Sequence, residues 1–275
     1  MKKRLLFTLL DDNGVYQLSR NFRLQQVGDL EWLRGNYDFD AIAYYVDELV
    51  VLNVAREGGG ITDFARSVLN LSKRYFLPVT AGGRVRSLED AALLLRSNAD
   101  KVAVNTPLFD DPELVRNLSR TFGSQCVVAS IDCRTTSDGY QVFTDSGIRN
   151  TGLTPAQAVQ HAQSLGAGEI YLTSLDRDGT GFGYDLALYA SVHEVCRVPV
   201  ILSGGVGKSD HLIQGLKQRG ITGASTANIF NFMVDGLKAA RANILREGIP
   251  LARWETDVEH LRANMPSMEN GDRCS

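Results

Sequence analysis

The chain has 275 residues, 44% of them hydrophobic and 22% charged, with 26 glycines and 7 prolines. That is apolar material for a large core, and it excludes a disordered or collagen-like chain. A formal net charge of −3 and a pI near 5.8 exclude the basic footprint of a nucleic-acid binder.

The first residues, MKKRLLFTLLDDNG, carry a basic end and a short apolar run. Asp11 and Asp12 follow with no small-residue cleavage site, so the segment reads as a first strand rather than a signal peptide. No apolar stretch approaches the roughly 18–20 residues needed to cross a bilayer, and a cytoplasmic protein with no membrane or nucleic-acid partner is expected.

Short β-branched runs predict strands at Arg4–Leu10, Glu48–Asn53, Val79–Gly82, Lys101–Asn105, Cys126–Asp132, Glu169–Ser174, Val200–Ser203 and Gly223–Thr226. Apolar residues at helical spacing mark Ser87–Ser97, Pro112–Thr121, Pro155–Leu165 and Ser209–Arg219. Glu89 and Asp90 supply an acidic first turn after Ser87, and Pro155 sits where a helix start tolerates proline. Strands alternating with helices over this length predict an α/β protein, a (β/α)8 TIM barrel. The phosphate-binding glycine signatures of the open nucleotide-binding sheets are missing from the sequence.

The chain also echoes itself. Leu77–Gly83 (LPVTAGG) resembles Val198–Gly205 (VPVILSGG), and Asp47–Asn53 resembles Gly168–Ser174, as two similar half-barrels would. The barrel is expected to span residues 1–248, followed by a C-terminal extension, 249–275, that is partly disordered. Within it Trp254–Ala263 reads as a possible helix. Cys126, Cys133, Cys196 and Cys274 lie far apart without ligand spacing, so no metal site and no cofactor is expected.

In a parallel barrel the loops after the strands carry the active site. Gly82-Gly83 and Gly204-Gly205 each follow a strand directly and leave backbone N–H groups open to an anion. Asn105 and Thr106 would complete one phosphate cradle; Asp178, Gly179, Ala227 and Asn228 would complete the other. For either pair alone, a turn that needs positive φ is the simpler explanation; their symmetric pairing favours a substrate with two phosphates.

With those residues in view, the sequence resembles the cyclase subunit of imidazole glycerol phosphate synthase over about residues 3 to 248. Phe122–Asp132 (FGSQCVVASID), Leu165–Thr180 (LGAGEIYLTSLDRDGT), Pro199–Lys208 (PVILSGGVGK) and Ala99–Pro107 (ADKVAVNTP) carry the resemblance. It implies a barrel that joins a doubly phosphorylated ribulosyl-formimino substrate to ammonia from a glutaminase partner. The products are imidazole glycerol phosphate and an aminoimidazole carboxamide ribotide, in histidine biosynthesis.

Asp132 matches one of the family's two acid–base aspartates. The other, at the end of strand one, aligns with Leu10, and the assisting lysine aligns with Leu18. Asp11 is offset by one residue, and strand side chains alternate, so its carboxylate should point to the opposite face. A positioned acid or base typically contributes ~10²–10⁴-fold, so inefficient cyclisation is expected.

At the other end of the barrel, Arg4, Glu48, Lys101 and Glu169 each open a strand and match the family's charged ring at the ammonia entrance, and Asp100 matches a position at the glutaminase interface. Parity agrees: Arg4 and Leu10 share a face roughly 20 Å apart at ~3.3 Å per residue, as do Lys101 with Asn105, Glu169 with Thr173 and Cys126 with Asp132.

Leu10 and Leu18 beside an intact ring resemble the family's divergent second-copy branch, which is associated with amidotransfer in surface-polysaccharide sugar synthesis. There the barrel passes ammonia to a third protein that modifies a nucleotide sugar. Two other readings stay open: a working cyclase, and a non-catalytic scaffold that activates a glutaminase.

Overall fold

The computed structural model describes residues 2–37, 39–56, 60–227 and 234–252. In chain order its strands are β1 (Arg4–Asp12), β2 (Val15–Arg20), β3 (Arg23–Gly28), β4 (Glu48–Asn53), β5 (Val79–Gly82), β6 (Lys101–Val104), β7 (Val127–Thr136), β8 (Gly139–Thr144), β9 (Arg149–Asn150), β10 (Glu169–Ser174), β11 (Val200–Ser203) and β12 (Ile221–Thr226). The helices are α1 (Leu30–Tyr37), α2 (Phe39–Tyr45), α3 (Ile61–Arg74), α4 (Leu88–Arg96), α5 (Pro107–Asp110), α6 (Pro112–Phe122), α7 (Pro155–Ser164), α8 (Leu186–Ala190), α9 (Ser209–Leu216) and α10 (Val234–Arg246).

Eight of the strands pair in parallel in the order β1-β4-β5-β6-β7-β10-β11-β12, and β12 returns to β1. This is the closed (β/α)8 TIM barrel expected from the alternation. Closure leaves none of these eight strands with an open edge, and the helices bury the outer face.

Local chemistry sets the helix starts. The Ser87 side chain accepts from the backbone N–H of Asp90 at 3.0 Å. Thr154 and Gln157 form a reciprocal capping box ahead of Pro155. Asp111 caps α6 by accepting from Leu114 N at 3.1 Å.

Several boundaries differ from the sequence reading. Strand five starts at Val127, because Cys126 closes a short 3-10 turn, Ser124–Cys126. The fourth strand stops at Val104, so Asn105 lies in the loop above it. The eighth begins at Ile221. β1 and β7 both run past the barrel into antiparallel hairpins, β2–β3 and β8–β9, which stand on the C-terminal face.

The first residues after 248 are part of the packed barrel. Lys3 N donates to Pro250 O at 2.8 Å, Ala252 N donates to Lys3 O at 2.7 Å, and Leu251 is buried. The expected helix at Trp254–Ala263 lies outside the described residues.

Candidate active site and charged ring

Inward side chains fill the barrel in layers. At the N-terminal mouth, Arg4, Glu48, Lys101 and Glu169 form one closed ring. Arg4 Nη1 is 2.5 Å from Glu48 Oε2, and Arg4 Nη2 contacts Glu169 Oε1. Lys101 Nζ lies 2.8 Å from Glu169 Oε2 and 3.3 Å from both Glu48 oxygens. Each cation thus touches both carboxylates.

Glu48 is 2% exposed and Glu169 5%, so the two anions are nearly out of water and depend on these partners. Burial works against the Arg4 charge, but Glu48 and Glu169 more than offset it and raise its pKa above the ordinary value. Two supports were not evident from the sequence. Thr80 Oγ1 donates to Glu48 Oε1 at 2.6 Å, and Arg4 Nη2 donates to Thr222 Oγ1 at 3.2 Å.

Asp100, beside the ring, is exposed. Its carboxylate accepts from Val79 N at 2.8 Å and so fixes the start of β5. Asp47 does the same for β1, accepting from Leu5 N at 2.8 Å, and is itself paired with Arg241 at 2.8 Å.

Above the ring lies an apolar layer of Leu6, Val50, Ala103, Val128, Ile201 and the ring of Tyr171, with Leu52 packed against it. Higher still come the hydroxyls of Thr8, Ser203 and Ser225. The axis at this level is occupied by side chains, as in other barrels of this size.

At the C-terminal face Asp132 is 8% exposed. Burial is the main cause that pushes its carboxyl up to about 7, and Asp178 adds to the rise, against hydrogen bonds from Thr173 and Ser130. Asn105 Nδ2 donates to Asp132 Oδ2 at 3.2 Å and to Ser130 O at 3.0 Å. A carboxyl that titrates near neutrality can both take and give a proton there.

Leu10 ends the inward row of β1, in register with Leu52. Asp11 is buried on the opposite side of β1, where Gly14 N donates to it at 3.3 Å and Ser67 hydrogen-bonds it; burial raises its pKa. It does not replace a carboxylate at position 10. Leu18, on β2, lines an apolar crevice with Phe7, Leu9, Tyr16 and Ala227.

The glycines of the expected cradles are required by the backbone itself. Gly83 has φ +89°, and a Cβ there would lie 2.2 Å from Asn53 O. Gly204 and Gly205 have φ of +88° and +100°, and a Cβ on Gly205 would lie 2.3 Å from Gly183 O. A Cβ on Gly82 would lie 2.5 Å from Ala103 O, and one on Gly179 2.2 Å from Ser19 O.

Thr106 precedes α5 and accepts from Asp145 N at 3.3 Å. The Asp178 carboxylate is engaged elsewhere: it accepts from Ser19 Oγ at 2.5 Å and Phe22 N at 3.1 Å, pinning the β2–β3 turn. Its own N–H donates to Ser174 O. Ala227 ends the described part of its loop, and Asn228 lies outside the described residues.

Among the described residues, Cys126, Cys133 and Cys196 are unpaired, no group of His, Cys, Asp and Glu is arranged to hold a metal, and no helix is long and apolar enough to cross a membrane.

Comparison with known proteins agrees with this architecture. Residues 40–234 match the family described as Histidine biosynthesis protein. A Parasynechococcus marenigrum protein with the provisional name imidazole glycerol phosphate synthase subunit hisF2 is 41% identical over 254 residues, covering 92% of this chain and 94% of that one. Imidazole glycerol phosphate synthase subunit HisF of Pyrobaculum aerophilum is 37% identical over 237 residues, covering 86% and 92%. The chain therefore belongs to the histidine-biosynthesis barrel family, as a HisF-like cyclase subunit of imidazole glycerol phosphate synthase type.

Proposed function

We propose that this barrel receives glutamine-derived ammonia from a glutaminase docked at the N-terminal mouth and conducts it to the C-terminal face, and that it is the divergent paralogue serving amidotransfer in surface-polysaccharide sugar synthesis. One observation carries the reading: the Arg4/Glu48/Lys101/Glu169 ring is closed with both carboxylates nearly out of water, while Leu10 stands on the inward row of β1 at the position that matches the family's second aspartate.

A ring of two bases and two acids has no net charge, and each member is held by its neighbours. Such a closure obstructs ions through desolvation and strong fields, and a small neutral molecule crosses it at lower cost. Asp100 belongs to the docking surface beside it. The Gly82-Gly83 and Gly204-Gly205 loops, with Asn105, Thr106, Gly179, Ala227 and Asn228, bind phosphate groups of the acceptor, and Asp178 holds the hairpin beside them. The third partner, a sugar amidotransferase, takes ammonia at this face.

The test is steady-state turnover of the family's ribulosyl-formimino substrate with ammonium salt. Turnover far below that of an ordinary cyclase subunit is expected, and near-normal turnover would overturn the reading. A second reading, a working cyclase, draws on the Asp132 carboxyl raised to about 7. It predicts near-normal turnover that Asp132→Asn abolishes.

A further inference from the structure

Tyr171 is an unusual occupant of the barrel axis. It projects inward from β10, yet its hydroxyl reaches Thr8 on β1, a strand that does not neighbour β10. The side chain therefore spans the interior, between the charged ring below and Asp132 above. Its ring packs in the apolar layer with Leu6, Val50, Val128 and Ile201.

The hydroxyl sits in a cluster. Tyr171 Oη is 2.8 Å from Thr8 Oγ1, accepts from Ser203 Oγ at 2.9 Å, and donates to Ser225 Oγ at 3.1 Å; Thr8 Oγ1 and Ser225 Oγ are 2.6 Å apart. Each hydroxyl has one proton and two lone pairs. The four hydrogen bonds can therefore use all four protons and still leave lone pairs over. The cluster is saturated in donors and rich in acceptors. A guest that fits it brings hydrogen atoms to donate, and the cluster stands on the apolar layer with Thr8, Tyr171 and Ser225 buried, which disfavours an ion.

We propose that the hydroxyls of Tyr171, Thr8, Ser203 and Ser225 form an interior binding station for unprotonated ammonia, with the Tyr171 ring as the obstruction that must swing aside for transit. Ammonia carries three N–H donors and one lone pair, which complements this cluster better than water does. The proposal rests on the conduit reading for its purpose, but not for its test.

The test uses the full chain with its nine tyrosines labelled by 13C at Cζ, a nucleus sensitive to hydrogen bonding at the phenol. The Tyr171 resonance is assigned by its loss in Tyr171→Phe, a variant that keeps the packing volume. Titration with ammonia under alkaline conditions is expected to move that resonance saturably. Equimolar trimethylamine, which has no N–H when neutral, is expected to leave it in place. At fixed total concentration the response should grow with the unprotonated fraction. A resonance that ignores ammonia, or answers both amines alike, would overturn the station. Nitrogen delivery from labelled glutamine tests the conduit separately: delivery with a silent Tyr171 resonance rejects the station alone, and a responsive resonance without delivery rejects the conduit alone.

Discussion

Glu48 and Glu169 stand 121 positions apart in the chain and are bridged twice over, once by Arg4 and once by Lys101. The two glutamates come from the echoing segments of the two half-barrels, so the ring is built on the internal repeat. The cations do not repeat: position 222, which lies 121 after Lys101, is Thr222, and it supports Arg4 instead.

Replacing Lys101 by alanine leaves one cation facing two buried carboxylates. Breaking one member of such a pair typically costs about 3–5 kcal/mol, and a loss toward the lower end is expected because the Lys101 side chain keeps some exposure. In complex with the glutaminase, Lys101→Ala should uncouple glutamine consumption from nitrogen transfer. The ratio of labelled nitrogen delivered to glutamine consumed, measured with amide-15N glutamine, should fall several-fold; an unchanged ratio would argue against a closed gate.

Asp132 should make the protein less stable as pH rises from about 4 toward 7. Its folded pKa, about 7, lies above the ordinary carboxylate value of 3.8, so the folded state holds a proton that the unfolded state releases between those values. The stabilising contribution is complete below the unfolded pKa and is lost as pH climbs through 7. Thermal or urea unfolding of wild type and Asp132→Asn should therefore converge in acid, separate progressively between about pH 4 and 7, and stay apart by a constant margin above neutrality, the variant being the more stable by on the order of 4 kcal/mol at most. Parallel curves at every pH would refute this.

Leu10→Asp places a carboxylate on the inward row of β1, facing the same mouth as Asp132. Paired with Leu18→Lys, it should raise turnover of the ribulosyl-formimino substrate with ammonium salt by roughly 10²–10⁴-fold, the usual value of one positioned acid or base. No gain in a folded double variant would mean that the phosphate loops, too, have left the family's substrate behind.

Gly83→Ala and Gly205→Ala should each destabilise the fold by at least ~1–3 kcal/mol, since both residues are left-handed and a Cβ would press on Asn53 O or Gly183 O. Denaturant midpoints check this. A neutral result at either position would mean that the loop relaxes.

The barrel was legible because its strands are buried on both faces and read as continuous runs such as Glu48–Asn53 and Glu169–Ser174. The ring was legible from parity together with the resemblance. The hairpins were not anticipated, although Asn13-Gly14 and Asp138-Gly139 are strong turn signals and Asn13, Gly14 and Gly139 all have positive φ. Thr222 escaped for another reason: the β11–β12 register shifts between Val200 and Ile201, so strict alternation from Ser225 assigns Thr222 to the wrong face. Tyr171 looked like one more core residue in an apolar run. Only the crossing of its side chain to β1 sets it apart, and no local pattern encodes that.

The seam between β12 and β1 carries a kinetic consequence. Arg4 must find Glu48 at a sequence separation of 44 and Glu169 at 165, and Lys3 must meet Pro250 and Ala252. Contacts over such spans form late, after shorter loops have closed. Until that seam closes the N-terminal mouth lacks Arg4 between its two glutamates, so a sealed ring is a property that only fully matured molecules possess.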